Sequence, residues 1–89
     1  MNVYEEDKFT IIDKDNVTHT FYKMLIFESA ITNKKYIIYT DNKQTNGSYN
    51  IYGSILLGNT NNIMLEELTD DIDKEEVNKA ILKVKMEME

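Results

Sequence analysis

Residues 11–20, Ile-Ile-Asp-Lys-Asp-Asn-Val-Thr-His-Thr (IIDKDNVTHT), put two aspartates and an asparagine within four positions, with the chain's single histidine three residues on. The crowding raises three readings: a cation loop, the start of a catalytic site, or a turn between strands. An EF-hand calcium loop counted from Asp13 needs a ligand at its fifth position, Gly at its sixth and Glu at its twelfth. Those positions hold Val17, Thr18 and Met24. Asp and Asn suit a turn, because both tolerate φ > 0 and their short side chains bond to nearby main chain. Read this way, residues 13–16 close a hairpin and set the register of the strands they join.

The pattern continues outward from that corner. Residues 8–13 (KFTIID), 17–28 (VTHTFYKMLIFE), 36–41 (YIIYTD), 49–57 (YNIYGSILL) and 63–68 (IMLEEL) are rich in Ile, Tyr, Phe, Val and Thr, with polar breaks between them. Such runs predict strands, and the short breaks predict successive hairpins in an antiparallel meander. Within residues 21–27, FYKMLIF is apolar on both alternations, which predicts a bulge. Gly53 inside the fourth run predicts a bulge or a close backbone approach.

From Asp73 the period changes. Val77, Ala80, Ile81, Val84 and Met88 recur three and four apart, as on one face of a helix. Asp73 is placed as its N-cap, Glu76 as the return partner of a capping box, and Ile72 with Val77 as a hydrophobic staple. The predicted fold is α+β: an antiparallel sheet of about five strands with one C-terminal helix across one face, in a single domain over residues 1–89. Residues 1–6 and 86–89 are expected to fray. The expected core, a single layer between sheet and helix, draws on Phe9, Ile11, Phe21, Leu25, Ile38, Ile51, Ile55, Leu65, Val77, Ile81 and Val84.

Composition narrows function by exclusion. Ten basic residues, all lysine, against 16 acids give a net charge of −6, a poor basis for neutralising phosphates or for bidentate guanine readout. The absence of cysteine removes disulfides, thiolate metal sites and thiol nucleophiles. No apolar run reaches the roughly 18–20 residues of a membrane span, and the acidic start is unlike a secretory signal, so the expected location is cytoplasmic.

Single residues add little chemistry. As a general base His19 would need an orienting carboxylate and a nucleophile, and a half-exposed strand residue is the simpler reading. The six tyrosines alternate between faces (Tyr36 against Tyr39, Tyr49 against Tyr52) instead of forming one stacking platform. No catalytic, cofactor-binding or metal-ligating residues are expected, and direct nucleic-acid binding is not. Residues 66–76 (EELTDDIDKEE) carry seven carboxylates. Helix capping accounts for Asp73, Glu75 and Glu76, leaving Glu66, Glu67, Asp70 and Asp71 as candidate partner-binding residues.

The strand–IDxDN turn–long strand ending in Phe27-Glu28, the KKYII entry at 34–38, YGSILL at 52–57 and the acidic run into the helix over 64–81 resemble the YrzB-like proteins. These are small acidic proteins of low-GC Gram-positive bacteria whose function is unknown. The resemblance implies the same sheet-and-helix fold and brings no catalytic residues. Asn16 departs from the Gly usual at the first turn, and NKQTNGS replaces a longer acidic loop. The leading functional expectation is a non-enzymatic, protein-binding module that uses the acidic loop and helix start. An acidic nucleic-acid mimic inhibiting a DNA- or RNA-binding enzyme is the alternative, and a weak single-stranded nucleic-acid binder the third. An uncovered sheet face, or a strand edge bearing Tyr39 or Tyr52, offers a route to a homo-oligomer.

Overall fold

The structure is a computed structural model and describes residues 7–59 and 62–87. Strands β1 (Lys8–Ile12), β2 (Thr18–Glu28), β3 (Lys35–Thr45), β4 (Ser48–Asn59) and β5 (Asn62–Glu66) precede helix α1 (Asp71–Glu87). The strands pair antiparallel in chain order, forming one five-stranded meander, and α1 packs on β3 and β4. The α+β fold expected from the sequence is the one that forms.

Turn chemistry sets the first hairpin. The Asp13 N–H donates to the Val17 carbonyl at 3.0 Å and the Asn16 N–H to the Asp13 carbonyl at 3.0 Å. Asn16 takes φ 64°, and the ladder beyond runs from Ile12↔Thr18 to Lys8↔Tyr22. The polar stretch expected as a break after residue 41 is mostly strand. β3 runs to Thr45, β4 starts at Ser48, and only Asn46 (φ 54°) and Gly47 (φ 82°) form the turn. Two successive left-handed residues match the twist of a two-residue hairpin loop. Nothing lies within 4 Å of a methyl added at Gly47, so Gly47→Ala isolates the backbone cost. Urea titration should register a loss of about 1–2 kcal/mol.

The bulge expected in β2 is present, with the β2–β3 register shifting between Lys23 and Leu25. It reverses the strand's phase. Phe21, before it, packs with Tyr39 on the face away from α1; Leu25 and Phe27, after it, pack with Tyr36 and Ile38 beneath the helix.

The core differs from the single layer expected. Tyr36, Ile38, Ile55, Val77 and Val84 form the helix-side cluster, flanked by Leu25, Ile51 and Ile81. Ile37, Tyr39 and Leu56 form a second cluster on the other face, and Phe9, Phe21 and Leu65 pack there. β3 is central and its residues 36–40 are all buried, so strand alternation sends apolar side chains both ways. Ile11 is only half-buried on β1. β3 and β4 are interior strands and Tyr39 is buried, so neither Tyr39 nor Tyr52 lies on a sheet edge.

Gly53 marks a close backbone approach. It pairs with Ile38 under α1, where a methyl at position 53 would overlap the Val77 Cγ1 and sit 3.2 Å from the Ile38 Cδ1.

The start of α1 corrects the capping expectation. The helix begins two residues earlier than expected, and the Lys74 N–H donates to the Asp70 carbonyl at 3.1 Å. Asp73, inside the first turn, is turned into the sheet and 2 % exposed. Its carboxylate accepts from Tyr36 and Lys34, while Glu76 accepts from Ser29 and Lys79. Both side chains thus bond across to the sheet or along the helix in place of the box. Ile72 is 56 % exposed and does not staple the turn. Of the ends expected to fray, residues 1–6 and 88–89, Met88 included, lie outside the described residues, and residues 86–87 are helical.

Candidate functional site

The acidic run divides by environment. Glu66 ends β5, Glu67 follows it, Asp70 precedes α1 and Asp71 opens it, and all four are exposed. Asp70 lies 3.9 Å from the Lys34 ammonium. Asp71 sits in the first helical turn, where the backbone dipole favours negative charge. Beside Glu66, the cross-strand pair Leu57 and Met64 is 41 % and 52 % exposed. The edge strand therefore presents Glu66 next to two uncovered apolar side chains, and the loop and helix start that follow carry the other three carboxylates.

A polar anchor fixes this surface to the β2–β3 loop. The Tyr36 hydroxyl donates to Asp73 Oδ1 at 2.5 Å and contacts Thr32 Oγ1 at 2.7 Å. The Lys34 ammonium donates to Asp73 Oδ2 at 3.0 Å. Ser29 Oγ donates to Glu76 Oε1 at 2.5 Å and accepts from the Ile31 and Thr32 amides. The Tyr36 hydroxyl, then Lys34, hold the Asp73 carboxyl below its ordinary range, and the Ser29 hydroxyl lowers Glu76. Burial, then the bond to Asp73, pushes the Tyr36 hydroxyl up. Sequence alone assigns Asp73 and Glu76 to capping and does not reveal their partners on the β2–β3 loop and the start of β3. The signal available was a Lys-Lys-Tyr entry to a strand opposite an acidic helix start.

His19 does have a carboxylate companion. Asp13 Oδ2 lies 2.8 Å from the His19 Nε2, and Asp13 Oδ1 accepts from the Asp15 and Val17 amides. The His19 bond is the main cause of a lowered Asp13 carboxyl, followed by the Val17 amide. The ring stacks on Phe21 at 6.2 Å. Among the described residues no hydroxyl is hydrogen-bonded to His19, and no group of three or more potential ligands is set to hold a metal ion. The pair's evident role is to tie the first turn to β2.

A cleft of about 540 Å³ opens beside His19, between the start of β2 and the far end of β3. Phe21, Asp41, Lys43 and Tyr52 line it, together with the threonines flanking His19. Asp41 sits at a register shift between Thr40 and Gln44, with Asn42 at φ 62°. Its carboxylate accepts from the Lys43 amide at 2.9 Å, the Asn50 side chain at 3.3 Å and the Tyr52 hydroxyl at 3.1 Å. Partial burial opposes its charge, yet these donors together hold the carboxyl below its ordinary range. Tyr52 stacks on Tyr39 at 5.7 Å, and Tyr39 and Phe21 meet edge to face at 4.8 Å. Alternation places Tyr36 and Tyr39 on opposite faces as expected, but it did not reveal that Phe9, Phe21, Tyr39 and Tyr52 would gather on one. The bulge in β2, which decides the face of Phe21, is the reason.

No helix among the described residues is long and apolar enough to cross a membrane. No protein-family model, curated protein or solved structure matches the chain.

Proposed function

We propose that this chain is a small cytoplasmic, non-enzymatic module that binds a basic protein partner through the acidic β5–α1 surface. The observation that carries the reading is the separation of roles among its acids. Asp73 is buried and Glu76 half-buried in the anchor, whereas Glu66, Glu67, Asp70 and Asp71 face outward. The exposed Leu57–Met64 pair beside Glu66 supplies the apolar contact that charge alone lacks. Rim charges of this kind act chiefly on association rate and partner choice. The resemblance to the YrzB-like proteins, which brings no catalytic residues, agrees with the reading.

The test replaces Glu66, Glu67, Asp70 and Asp71 by lysine and compares affinity capture with the unaltered chain. The fourfold variant should keep its circular-dichroism spectrum, because all four side chains are exposed, should melt only modestly lower through the lost acids at the start of α1, and should lose its principal partners. Undiminished recovery of the same partners would refute the assignment.

A further inference from the structure

β2 and β3 are neighbours, yet their ladder ends at Tyr22↔Thr40 while both strands continue. Residues 18–21 of β2 pair only with β1, and residues 44–45 of β3 pair only with β4. The two strands splay apart here, and the cleft beside His19 is the space between them. In a regular ladder, alternate residues of each strand would direct their main-chain N–H and C=O groups into this gap. A strand edge of that kind is a template for an added strand.

We propose that the cleft takes an extended peptide of a partner protein, which adds to the open edge of β2 along residues 18–21 and places an arginine on Tyr52. This surface is separate from the acidic β5–α1 surface and does not rest on it. The cleft is within the roughly 300–1,000 Å³ of ordinary ligand sites. Side chains of an added strand alternate between faces, so every second one meets the face bearing Phe21 and Tyr52. Phe21 and Tyr52 are 5.9 Å apart there, and the Tyr52 hydroxyl rests on the Asp41 carboxylate at 3.1 Å. An aromatic face beside a carboxylate attracts a cation. Lys43 lines the same cleft and opposes one. A planar guanidinium, stacking on Tyr52 and donating to Asp41, suits that balance better than a compact ammonium.

The probe is acetyl-TVRVT-amide, titrated into isotope-labelled protein and followed by amide NMR. Saturable shifts should concentrate at residues 18–21 and 41–44, and the same peptide with glutamate for arginine should bind at least about tenfold more weakly. Tyr52→Leu, at a position 40 % exposed, should weaken binding about tenfold without unfolding the chain. Alternate amides in residues 18–21 should exchange rapidly in the free protein, and bound peptide should slow them. No saturable shift in those segments up to millimolar peptide, equal binding of the glutamate peptide, or amides already protected in the free protein would each overturn the proposal.

Discussion

Gly53→Ala should lower stability by about 1–3 kcal/mol, although alanine is the better residue for an ordinary strand. With no helix above it, this substitution would be neutral or favourable. Position 53 is not at a positive φ, so backbone conformation adds no cost. The cost comes from α1, because the new methyl would overlap the Val77 γ-methyl and one of the two backbones must retreat. For a domain of this size that corresponds to about 4–8 °C in melting temperature per kcal/mol. Val77→Ala removes the obstructing methyl groups. By itself it should cost stability by opening a cavity, Val77 being 2 % exposed. In combination with Gly53→Ala the two losses should be less than additive, since each change makes room for the other. Strict additivity in thermal and urea denaturation would mean that α1 does not sit on Gly53.

The second large effect concerns Tyr36. Tyr36→Phe keeps the ring and its 5.2 Å stacking on Phe27 but removes the hydroxyl that donates to buried Asp73. Leaving a buried acceptor short of its donor costs about 1–3 kcal/mol. The pH dependence follows from the direction of the Asp73 shift. Its folded carboxyl lies below the ordinary value, so its contribution is present above the unfolded pKa of about 3.9 and is lost as pH falls through the folded value. The unaltered chain should therefore lose stability on acidification below about pH 4. Tyr36→Phe removes the main cause of the shift, so the stability difference between the two proteins should be full near neutrality and shrink in acid. Denaturant midpoints measured from pH 7 downward decide this. A constant difference at every pH would show that the hydroxyl does not act through the Asp73 carboxylate.

The fold was largely legible because its devices are local. Asp13 by its side-chain bonds and Asn16 by its tolerance of positive φ specify a turn, the alternation of β1 and the unbroken Tyr- and Ile-rich run of β3 specify strands, and 77–80–81–84 specifies a helix face. The bulge in β2 was legible too, since residues 21–27 are apolar on both alternations and one unbroken phase leaves half of them facing away from the helix. What failed depends on contacts distant in sequence. Asp73 has the right neighbours for a cap, but Tyr36, 37 positions away, takes its carboxylate. The polar residues 42–45 look like a loop because they are exposed, yet the Asn46–Gly47 turn keeps the chain on either side in strands. The division of the core into two clusters depends on β3 being central, a property of the whole sheet. The outward carboxylates were identified as residues, but their neighbours Leu57 and Met64 were not, because exposure on a strand cannot be read from residue type. The cleft beside His19 was likewise hidden, since it arises where a ladder stops.

The most direct test of the functional account is a quantitative capture comparison at constant charge. One variant carries lysine at Glu66, Glu67, Asp70 and Asp71; the control carries lysine at four exposed acids elsewhere, Asp15, Glu28, Glu75 and Glu87. Both have the same net charge. The account predicts that partners recovered by the unaltered chain persist with the control and disappear with the β5–α1 variant. Equal loss in both variants, or retention in both, would contradict it.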